Sequence, residues 1–427
     1  MNFDSFNLHP TLSANIHALG YQIPTPIQME AIPPVLQGND LIGLAQTGTG
    51  KTAAFALPIL NYLLAKPTDL DKKKSVRVLV LAPTRELAEQ IYDSFGALGK
   101  HTRLQGVTVY GGVNINPQIS KLRAGTDIVV ACPGRLLDHI EQGTIDLSHV
   151  EVLVLDEADR MFDMGFLPGI RRIFKYLPKD RQTLLFSATM PDDIRKLTGE
   201  CLRNPVTVQI DTVKPTDTVT HGIYPVEPHL KTELLMALLK KTHTDSVLVF
   251  TAAKHRAKRV AEKLEKAGWK ATSLQGNLSQ NRRQEALNGF KDGTYQIMVA
   301  TDVAARGIDV ASISHVINFD MPDTLDSYTH RIGRTGRAAK TGDAFTFVTD
   351  EDHDMVRAIE KALGEKLARL YLPGFNYNEP APIKDLTFAR PPREPQNRRP
   401  MSGRPGSGGS GRSEHTAGPG SPRNRAR

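Results

Sequence analysis

Short apolar segments alternate with segments of helical period from about Leu8 to Ile210. In the helical segments apolar residues recur every three or four positions, as in Arg85–Leu98. The predicted strands of this block are Asp40–Leu44, Val76–Leu81, Gly106–Tyr110, Asp127–Ala131, Val150–Leu155, Thr183–Phe186 and Val206–Gln209. Near-continuous apolar strands separated by helices indicate a parallel sheet covered by helices on both faces.

A second block of similar design follows a polar, proline-containing stretch around Asp211–Asp217. Its predicted strands are Ser246–Phe250, Ala271–Leu274, Gln296–Ala300, His315–Asn318 and Ala344–Val348. We therefore predict an α/β fold with two tandem domains. The predicted divisions are an N-terminal segment 1–29, a first domain 30–210, a linker 211–222, a second domain 223–375 and a disordered tail 376–427.

The composition restricts the classes of protein that the chain can represent. Apolar residues make up 40% of the 427 positions and charged residues 23%, which is typical of a globular chain and excludes a collagen-like one. We find neither a secretory signal segment nor an apolar run long enough to cross a bilayer. Cys132 and Cys201 are too few for a disulfide framework or a four-cysteine zinc site, and they fit a reducing cytoplasm.

The net charge of +8 is concentrated at the C-terminus. Residues 386–427 contain nine arginines and two acidic residues, so the remaining chain is close to neutral. This Pro-, Gly-, Ser- and Arg-rich tail has too few apolar residues to offset its ordering entropy. We expect the tail to contact nucleic-acid phosphates without sequence preference, whereas an inert or protein-binding tail is the alternative.

A glycine-rich loop lies between the first predicted strand and the helical segment Ala53–Leu64. Its residues are Ala45, Gln46, Thr47, Gly48, Thr49, Gly50, Lys51 and Thr52. Glycines let backbone N–H groups curl around phosphates, and the following helix N-terminus favours negative charge. We expect Lys51 to reach the β- and γ-phosphates of a nucleotide, and Thr52 to bind Mg²⁺.

An acidic turn containing Asp156, Glu157 and Asp159 follows the apolar strand Val150–Leu155. Ligands of parallel sheets bind at this carboxyl edge. Asp156 is expected to hold Mg²⁺ through water, and Glu157 to orient and deprotonate an attacking water. An acidic turn that only caps the next helix is the alternative, which the phosphate loop disfavours.

Three arginines recur at a spacing of three in the second block, Arg331, Arg334 and Arg337. A solvated helix face would also produce that spacing. Phosphoryl transfer, however, needs cations on the developing γ-phosphate charge, which arginine fingers supply. If Lys51 and Arg334 contact one nucleotide, the two domains must close on it.

Together these motifs resemble those of the DEAD-box RNA helicases of superfamily 2. The resemblance covers about residues 3–350, in family order, and the run Leu274–Arg283 with the short basic tail looks most like the bacterial RhlE-type subgroup. The further segments that support it are Gly20–Gln28, Pro83–Ala88, Gly111–Gly112, Pro133–Arg135, Ser187–Thr189, Val249–Thr251, Gly276–Gln280, Ala300–Asp309 and Tyr328–Arg337.

The resemblance implies two tandem RecA-like domains with ATP between them and RNA across both. It implies that Gln28 pairs with the adenine edge, as amides do in DNA recognition, that Phe3 stacks on the base and that Asp309 binds the ribose. Tyr21 and Gly307 also fall at ATP-binding positions. The implied residues that would couple hydrolysis to domain closure are Asp159, Ser187, Thr189 and His330.

The RNA-backbone contacts that the resemblance implies are Arg85, Gly112, Cys132, Arg135, Gln280 and Thr301. Such contacts position a strand without reading its sequence. Taken singly, each could instead be a turn glycine, a helix-terminal residue or a helix cap. The family usually has Thr at the position of Cys132; because a thiol is a weaker donor, we expect a buried structural cysteine there.

We therefore predict an ATP-dependent RNA helicase whose RNA-stimulated ATP hydrolysis drives domain closure, local unwinding of short duplexes and remodelling of RNA–protein complexes. An ATP-gated RNA clamp or assembly platform would use the same motifs, and a strand-displacement assay would separate the two. A DNA translocase is disfavoured by the adenine-reading motif. We expect a cytoplasmic monomer that needs Mg²⁺ and has no membrane anchor, with ribosome-assembly or RNA-decay proteins as candidate partners of its tail.

Overall fold

Two seven-stranded parallel sheets follow one another along the chain. The structure, a computed structural model, describes residues 2–46, 48–67, 75–210, 219–242, 245–305, 313–335 and 342–381. The strands are β1 Leu41–Leu44, β2 Val78–Leu81, β3 Gly106–Val109, β4 Ile128–Ala131, β5 Val152–Leu155, β6 Gln182–Ser187, β7 Val206–Gln209, β8 Val219–Pro225, β9 Val247–Phe250, β10 Ala271–Leu274, β11 Ile297–Ala300, β12 His315–Asn318, β13 Gly342–Val348 and β14 Ala368–Arg369. Both sheets belong to one unit, Met1–Glu379.

Helices connect most of these strands. The α-helices are α1 Pro10–Ala18, α2 Pro26–Leu36, α3 Lys51–Ala65, α4 Arg85–Leu98, α5 Asn116–Ala124, α6 Pro133–Glu141, α7 Ala158–Asp163, α8 Leu167–Phe174, α9 Asp192–Cys201, α10 Lys231–Lys241, α11 Lys254–Lys266, α12 Gln280–Lys291, α13 Asp302–Ala305, α14 Leu325–Ile332 and α15 His353–Leu363. Short 3₁₀ helices lie at Phe3–Phe6 and Asp350–Asp352.

The two sheets share one topology. The first has the order β3-β4-β2-β5-β6-β1-β7, and the second repeats this order seven strands later as β10-β11-β9-β12-β13-β8-β14. The pairings among these described strands are parallel throughout. The loops that leave the carboxyl ends of the strands therefore gather at one edge of each sheet, which is where ligands of this fold class bind. The predicted α/β fold with tandem parallel sheets is confirmed.

Each sheet is buried on both faces, as its apolar strands predict. In β2, Val78 and Val80 join the apolar cluster on one face, and Leu79 and Leu81 join the cluster on the other. In β9 the same alternation divides Val247 and Val249 from Leu248 and Phe250. This double burial holds the strand ends, and thus the loops that follow them, in fixed positions.

Three details differ from the sequence-based expectations. The strand β8 begins at Val219, so residues 219–222 of the predicted linker belong to the second sheet, whereas residues 211–218 lie outside the described residues. The two-residue strand β14 gave no recognisable pattern. Tyr377, in the predicted tail, packs on Phe375 at a ring-centroid distance of 4.9 Å and on Tyr371 at 5.5 Å.

Candidate active site

The phosphate loop joins the carboxyl end of β1 to α3. Thr49 Oγ1 donates to Gln46 O at 2.8 Å, and Lys51 Nζ donates to Ala45 O at 2.9 Å. The loop is thus closed on itself, with the Lys51 ammonium buried at its mouth and Thr52 half-buried in the first turn of the helix. Two glycines adopt the left-handed backbone that only glycine reaches without strain, Gly48 with φ 87° and Gly50 with φ 94°.

Gln28 links the N-terminal segment to this loop. Its Oε1 accepts a hydrogen bond from the Thr25 N–H at 2.9 Å, and its Nε2 donates to Gly50 O at 3.1 Å. An amide has two acceptor lone pairs and two donor hydrogens, so one of each remains for an adenine edge. Since Gln28 is only 4% exposed, the surrounding residues fix its amide in advance.

Phe3 packs on the other two aromatic residues of the N-terminal segment, Phe6 and Tyr21. Phe3 is 4% exposed and its ring centroid lies 5.9 Å from that of Tyr21 and 6.0 Å from that of Phe6. Tyr21 is 39% exposed, so it presents more open ring surface than Phe3, the predicted stacking residue.

The acidic turn follows β5 at the same edge. Asp156 is buried, and its carboxylate accepts a hydrogen bond from the Glu157 N–H at 2.9 Å. Burial raises the pKa of Asp156 to about 6, although the Lys51 cation opposes this shift. Glu157 has φ 52°, a left-handed backbone conformation that is strained for a non-glycine residue.

Glu157 forms a buried ion pair one helical turn onward, with Arg160 Nη1 2.8 Å from Glu157 Oε2. Burial alone would raise the pKa of Glu157, but nearby cations outweigh burial and lower it. In decreasing order these cations are Arg160, Lys51 and Arg334. Glu157 is therefore held ionised, and one of the cations comes from the second sheet's half of the chain.

Asp159 connects the acidic turn to the loop after β6. Its Oδ2 accepts hydrogen bonds from Ala188 N at 3.1 Å, Thr189 N at 3.0 Å and Thr189 Oγ1 at 3.1 Å. Ser187 Oγ accepts a hydrogen bond from the Asp159 N–H at 3.2 Å. The structure thus brings together three of the predicted coupling residues, and any movement of this loop would move the acidic turn.

His330 and Arg334, at the end of α14, face this acidic turn. Burial lowers the pKa of His330 to about 4, the Arg160 cation adds to the lowering, and Asp159 opposes it. Arg334 is only 3% exposed and its charge lowers the pKa of Glu157. The structure therefore places groups from both sheets around Glu157.

Arg331 has a different place from Arg334. It is 2% exposed, its guanidinium forms two 2.6 Å bonds to Asp302 and it also donates to Asn318 Oδ1 at 3.1 Å. These bonds hold α14 against β12 and α13. Because Arg331 and Arg334 are both buried, they do not form the solvated helix face that their spacing allowed.

The residues at this edge fit ATP with Mg²⁺. The loop has backbone N–H groups at a helix N-terminus and the Lys51 cation, which suit phosphates. A hydroxyl from Thr52 and a carboxylate from Asp156 are hard oxygen ligands of the kind that Mg²⁺ takes together with phosphates and water. The buried Asp156 carboxylate is disfavoured without a cation, as its raised pKa shows.

A second group of predicted residues lies along the carboxyl edges near α4. Thr84 caps this helix by accepting from the Leu87 N–H, which fixes Arg85 at the first turn. Gly112 has φ 77°, a backbone conformation that is strained for any other residue, and a Cβ at this position would displace the Arg85 guanidinium. Arg85 Nη1 also donates to Gln280 Oε1, at the start of α12, at 3.4 Å.

The remaining predicted RNA contacts surround this group. Both Arg135 terminal nitrogens donate to Val113 O at 3.2 Å, one residue after the Gly111–Gly112 turn. Cys132 occupies the N-cap position of α6 without a capping hydrogen bond from its side chain. Its burial raises the pKa of the thiol to about 12, so it is a structural thiol rather than a reactive one. Thr301 is 9% exposed at the end of β11.

Several charged residues that matter at the site escaped the sequence analysis. Arg160 pairs with Glu157, and Arg283 of α12 pairs with Glu86 of α4 through a buried 2.7 Å contact. Glu86 and Arg283 are separated by 197 positions, so no local spacing could have paired them. The Arg160 pair had a local signal, the three-residue spacing within a predicted helix.

Four predicted site residues, Thr47, Gly307, Asp309 and Arg337, lie outside the described residues. Among the helices that the structure does describe, none has the length and apolar character needed to cross a membrane.

The family comparisons agree with this geometry. The DEAD/DEAH box helicase model matches residues 25–197, and the helicase conserved C-terminal domain model matches residues 230–339. The fold and site thus define a two-domain helicase.

Two curated relatives refine that class. The chain is 41% identical over 379 residues to the DEAD-box ATP-dependent RNA helicase RhpA of Helicobacter pylori, covering 88% of this chain and 76% of RhpA. It is 42% identical over 372 residues to the DEAD-box ATP-dependent RNA helicase CshA of Bacillus cereus, covering 87% of this chain and 70% of CshA.

Among solved structures, Saccharomyces cerevisiae Dbp5 bound to RNA and ADP BeF3 matches with a TM-score of 0.75 and 32% identity, covering 86% of this chain and 95% of Dbp5. The chain belongs to the DEAD-box family of ATP-dependent RNA helicases.

Proposed function

We propose that the chain hydrolyses ATP at the junction of its two sheets and uses the resulting closure on RNA to separate short duplexes and remodel RNA–protein complexes. The supporting observation is the arrangement around Glu157. This carboxylate lies at the edge of the first sheet, and Arg334 beyond the second sheet's α14 is among the cations that lower its pKa. A site made of groups from both sheets is complete only when the two are together.

In this proposal the first sheet binds the nucleotide. Lys51 holds the β- and γ-phosphates, and Thr52 and Asp156 hold Mg²⁺, which neutralises charge on the phosphate oxygens when bound. Gln28 pairs with the adenine edge through its remaining lone pair and hydrogen. The residues proposed to complete the ATP-binding surface are Phe3, Tyr21, Ala45, Gln46, Thr47, Gly48, Thr49, Gly50, Gly307 and Asp309.

Glu157 orients the attacking water in the proposed reaction. Its lowered pKa keeps it ionised at neutral pH, so it can accept a hydrogen bond from that water. Arg334 and Arg337 stabilise the charge that develops on the transferred phosphoryl group. Asp159, with its hydrogen bonds to Ser187 and Thr189 and its neighbour His330, links the reaction to closure.

RNA is proposed to lie along the carboxyl edges of both sheets. The proposed backbone contacts are Arg85, Gly112, Cys132, Arg135, Gln280 and Thr301. Arg85 and Gln280 support this track because they come from different sheets and lie within 3.4 Å of each other. A strand bound to both would be held only while the sheets stay together, and contacts of this kind give little sequence preference.

Glu157→Gln tests the proposal, because it keeps a polar group of similar size but removes the carboxylate. We expect a variant that binds ATP and RNA, displaces a short RNA strand once at most and releases RNA slowly. Strand displacement and RNA release would be followed in wild type and variant, with Lys51→Ala as the control that fails to form the ATP complex. RNA release at the wild-type rate in ATP would contradict the role of Glu157.

We further propose the RhlE-type bacterial subgroup, supported by the run Leu274–Arg283 and the short basic tail. The proposed division of the chain is 1–29, 30–210, 211–218, 219–375 and 376–427, with the linker shortened because β8 begins at Val219. We also propose a cytoplasmic monomer, with ribosome-assembly or RNA-decay proteins as partners of the tail. The two free, buried cysteines, Cys132 and Cys201, support a reducing compartment.

A further inference from the structure

A chain of polar side chains, buried except for one half-buried threonine, leads to the residue before the Gly111–Gly112 turn. It consists of His139, Thr144, Gln118 and the backbone carbonyl of Tyr110, which we call the His139 relay. His139 lies on α6 and is 0% exposed; Gln118 lies on α5 and is 7% exposed. Neither residue belongs to a motif that the sequence analysis used, and neither can touch ATP or RNA from its buried position.

The hydrogen bonds of the relay have one consistent direction. Gln118 Nε2 donates to Tyr110 O at 3.0 Å, so Gln118 Oε1 faces His139 Nε2, 3.1 Å away, as an acceptor. His139 therefore has its hydrogen on Nε2. The Thr144 hydroxyl lies 2.7 Å from His139 Nδ1 and 3.1 Å from the His139 carbonyl oxygen, so its one hydrogen faces two acceptors. Burial, reinforced by the Arg135 cation, lowers the pKa of His139 and so favours this neutral form.

The relay ends where the turn begins. Tyr110 follows the last residue of β3, and its carbonyl accepts from Gln118 immediately before Gly111. On the other side of the turn, Arg135 binds Val113 O. Helices α5 and α6 thus hold the turn at both ends, which sets the position of Gly112 against Arg85.

Apolar residues could fill this space at lower cost than polar ones. Burying an imidazole and an amide is unfavourable unless every polar atom finds a partner. When all partners are present, however, hydrogen bonds fix distances and directions that apolar contacts leave free. The fully bonded relay is thus suited to fixing one backbone carbonyl.

We propose that the His139 relay is a positioning device for the RNA track: His139, through Gln118, fixes the Tyr110 carbonyl and thereby the Gly111–Gly112 turn against which Arg85 is set. The inference rests on the proposed binding of RNA by Arg85, Gly112 and Arg135. His139 and Gln118 are positioning residues, since they act through the turn and not on RNA.

Two substitutions of His139 distinguish its Nε2 hydrogen bond to Gln118 from its Nδ1 contact with Thr144. The amide of Gln can place its nitrogen where imidazole Nε2 lies, whereas the shorter amide of Asn reaches only the Nδ1 position. His139→Gln should keep the bond to Gln118 and retain RNA affinity close to wild type. His139→Asn should lose that bond and raise the RNA concentration for half-maximal ATPase stimulation by roughly tenfold, the effect of one buried hydrogen bond. Basal ATPase without RNA should not change in either variant.

Gln118→Glu provides an independent variant on the other helix. Glutamate still accepts a hydrogen bond from His139 Nε2 but has no hydrogen to donate to Tyr110 O. The RNA concentration for half-maximal ATPase stimulation should therefore rise in Gln118→Glu as it does in His139→Asn. Because both act through one chain of bonds, the double variant should not exceed the larger single effect. If the His139→Asn variant unfolds below the assay temperature, the Gln118→Glu variant alone tests whether the His139 relay affects RNA binding.

Arg85→Ala, measured in parallel, distinguishes failure of this inference from failure of the RNA track. If Arg85→Ala raises the RNA requirement but His139→Asn and Gln118→Glu only lower the melting temperature, the relay serves packing and the inference is overturned. If Arg85→Ala itself leaves the RNA requirement unchanged, the proposed track is wrong. If His139→Gln and His139→Asn raised the RNA requirement equally, the role assigned to the hydrogen bond between His139 and Gln118 would also be overturned.

Discussion

The chemistry at the nucleotide site depends on a few buried charged side chains. A buried charge is costly unless it is paired, and Glu157, Arg160 and Arg334 satisfy this requirement for one another. Local spacing identified Glu157 and Lys51, because loops that bind phosphate and water have short signatures. The three-residue spacing of Glu157 and Arg160 allowed their pairing, whereas the left-handed backbone at Glu157 had no signal in the sequence.

His330 should make closure of the two domains sensitive to acid. Its pKa is lowered to about 4 when it faces the acidic turn, against an ordinary value of 6.5, so the closed arrangement binds fewer protons than one in which His330 is exposed. Acid therefore opposes closure. The closed arrangement is unaffected above pH 7, and it is increasingly destabilised as the pH falls from 6.5 towards 4. The charged groups facing His330 are Arg160, Asp159, Arg334 and Glu157.

We expect the complex with RNA and ADP–beryllium fluoride to dissociate about tenfold faster at pH 5.5 than at pH 7.5, by linkage to this one group. His330→Gln cannot take up a proton and should flatten the dependence. RNA dissociation rates measured across this pH range in both proteins test the prediction. An equal pH dependence in the variant would assign the effect to another group.

Helices α4 and α12 form the clearest contact between the two halves of the molecule. Both begin near the carboxyl edges of their sheets, and Glu86–Arg283 and Arg85–Gln280 join them. The sequence predicted the bounds of α4 correctly, because its apolar stripe is a local signal. Pairing across nearly two hundred positions has no such signal.

Glu86→Gln should weaken RNA binding in the closed, ATP-analogue-bound state. The substitution leaves the Arg283 cation buried without its counter-charge. Breaking a buried ion pair in this way costs about 3–5 kcal/mol. In the double variant Glu86→Gln with Arg283→Gln, neither charge is buried, so part of the loss should be recovered. RNA affinities of the two single variants and the double variant give the coupling energy; additive effects would show that the pair does not act in the RNA-bound state.

At the scale of the whole molecule, one sheet topology is used twice for different tasks. The first sheet supplies the phosphate loop and the acidic turn, whereas the second supplies His330 from α14 and Arg334 from just after it. The sequence predicted two α/β domains, since each has its own apolar period. It could not show that they share one strand order, because residues 219–222 of β8 were assigned to the linker and β14 has only two residues.

Removing residues 386–427 should weaken RNA binding mainly at low salt. These residues contain nine arginines and most of the net charge of +8. Each phosphate contact with single-stranded RNA contributes about −0.7 to the slope of log affinity against log salt, so the slope should flatten by several units if most arginines engage. Parallel salt titrations of the full-length and shortened proteins test this, with basal ATPase as the control. Identical slopes would favour an inert or protein-binding tail.

The most direct test of a nucleotide site shared by two domains is the effect of Arg334→Ala on ATP turnover and ATP affinity, measured on the same preparation. Because ATP is bound by the first sheet, its affinity should stay within a few-fold of wild type, while RNA-saturated turnover should fall by about 10³-fold or more, as for loss of an arginine finger. Arg369→Ala, an exposed arginine on β14, controls for the loss of one positive charge from the second domain. Loss of ATP affinity alone, or turnover at the wild-type rate, would contradict the shared site.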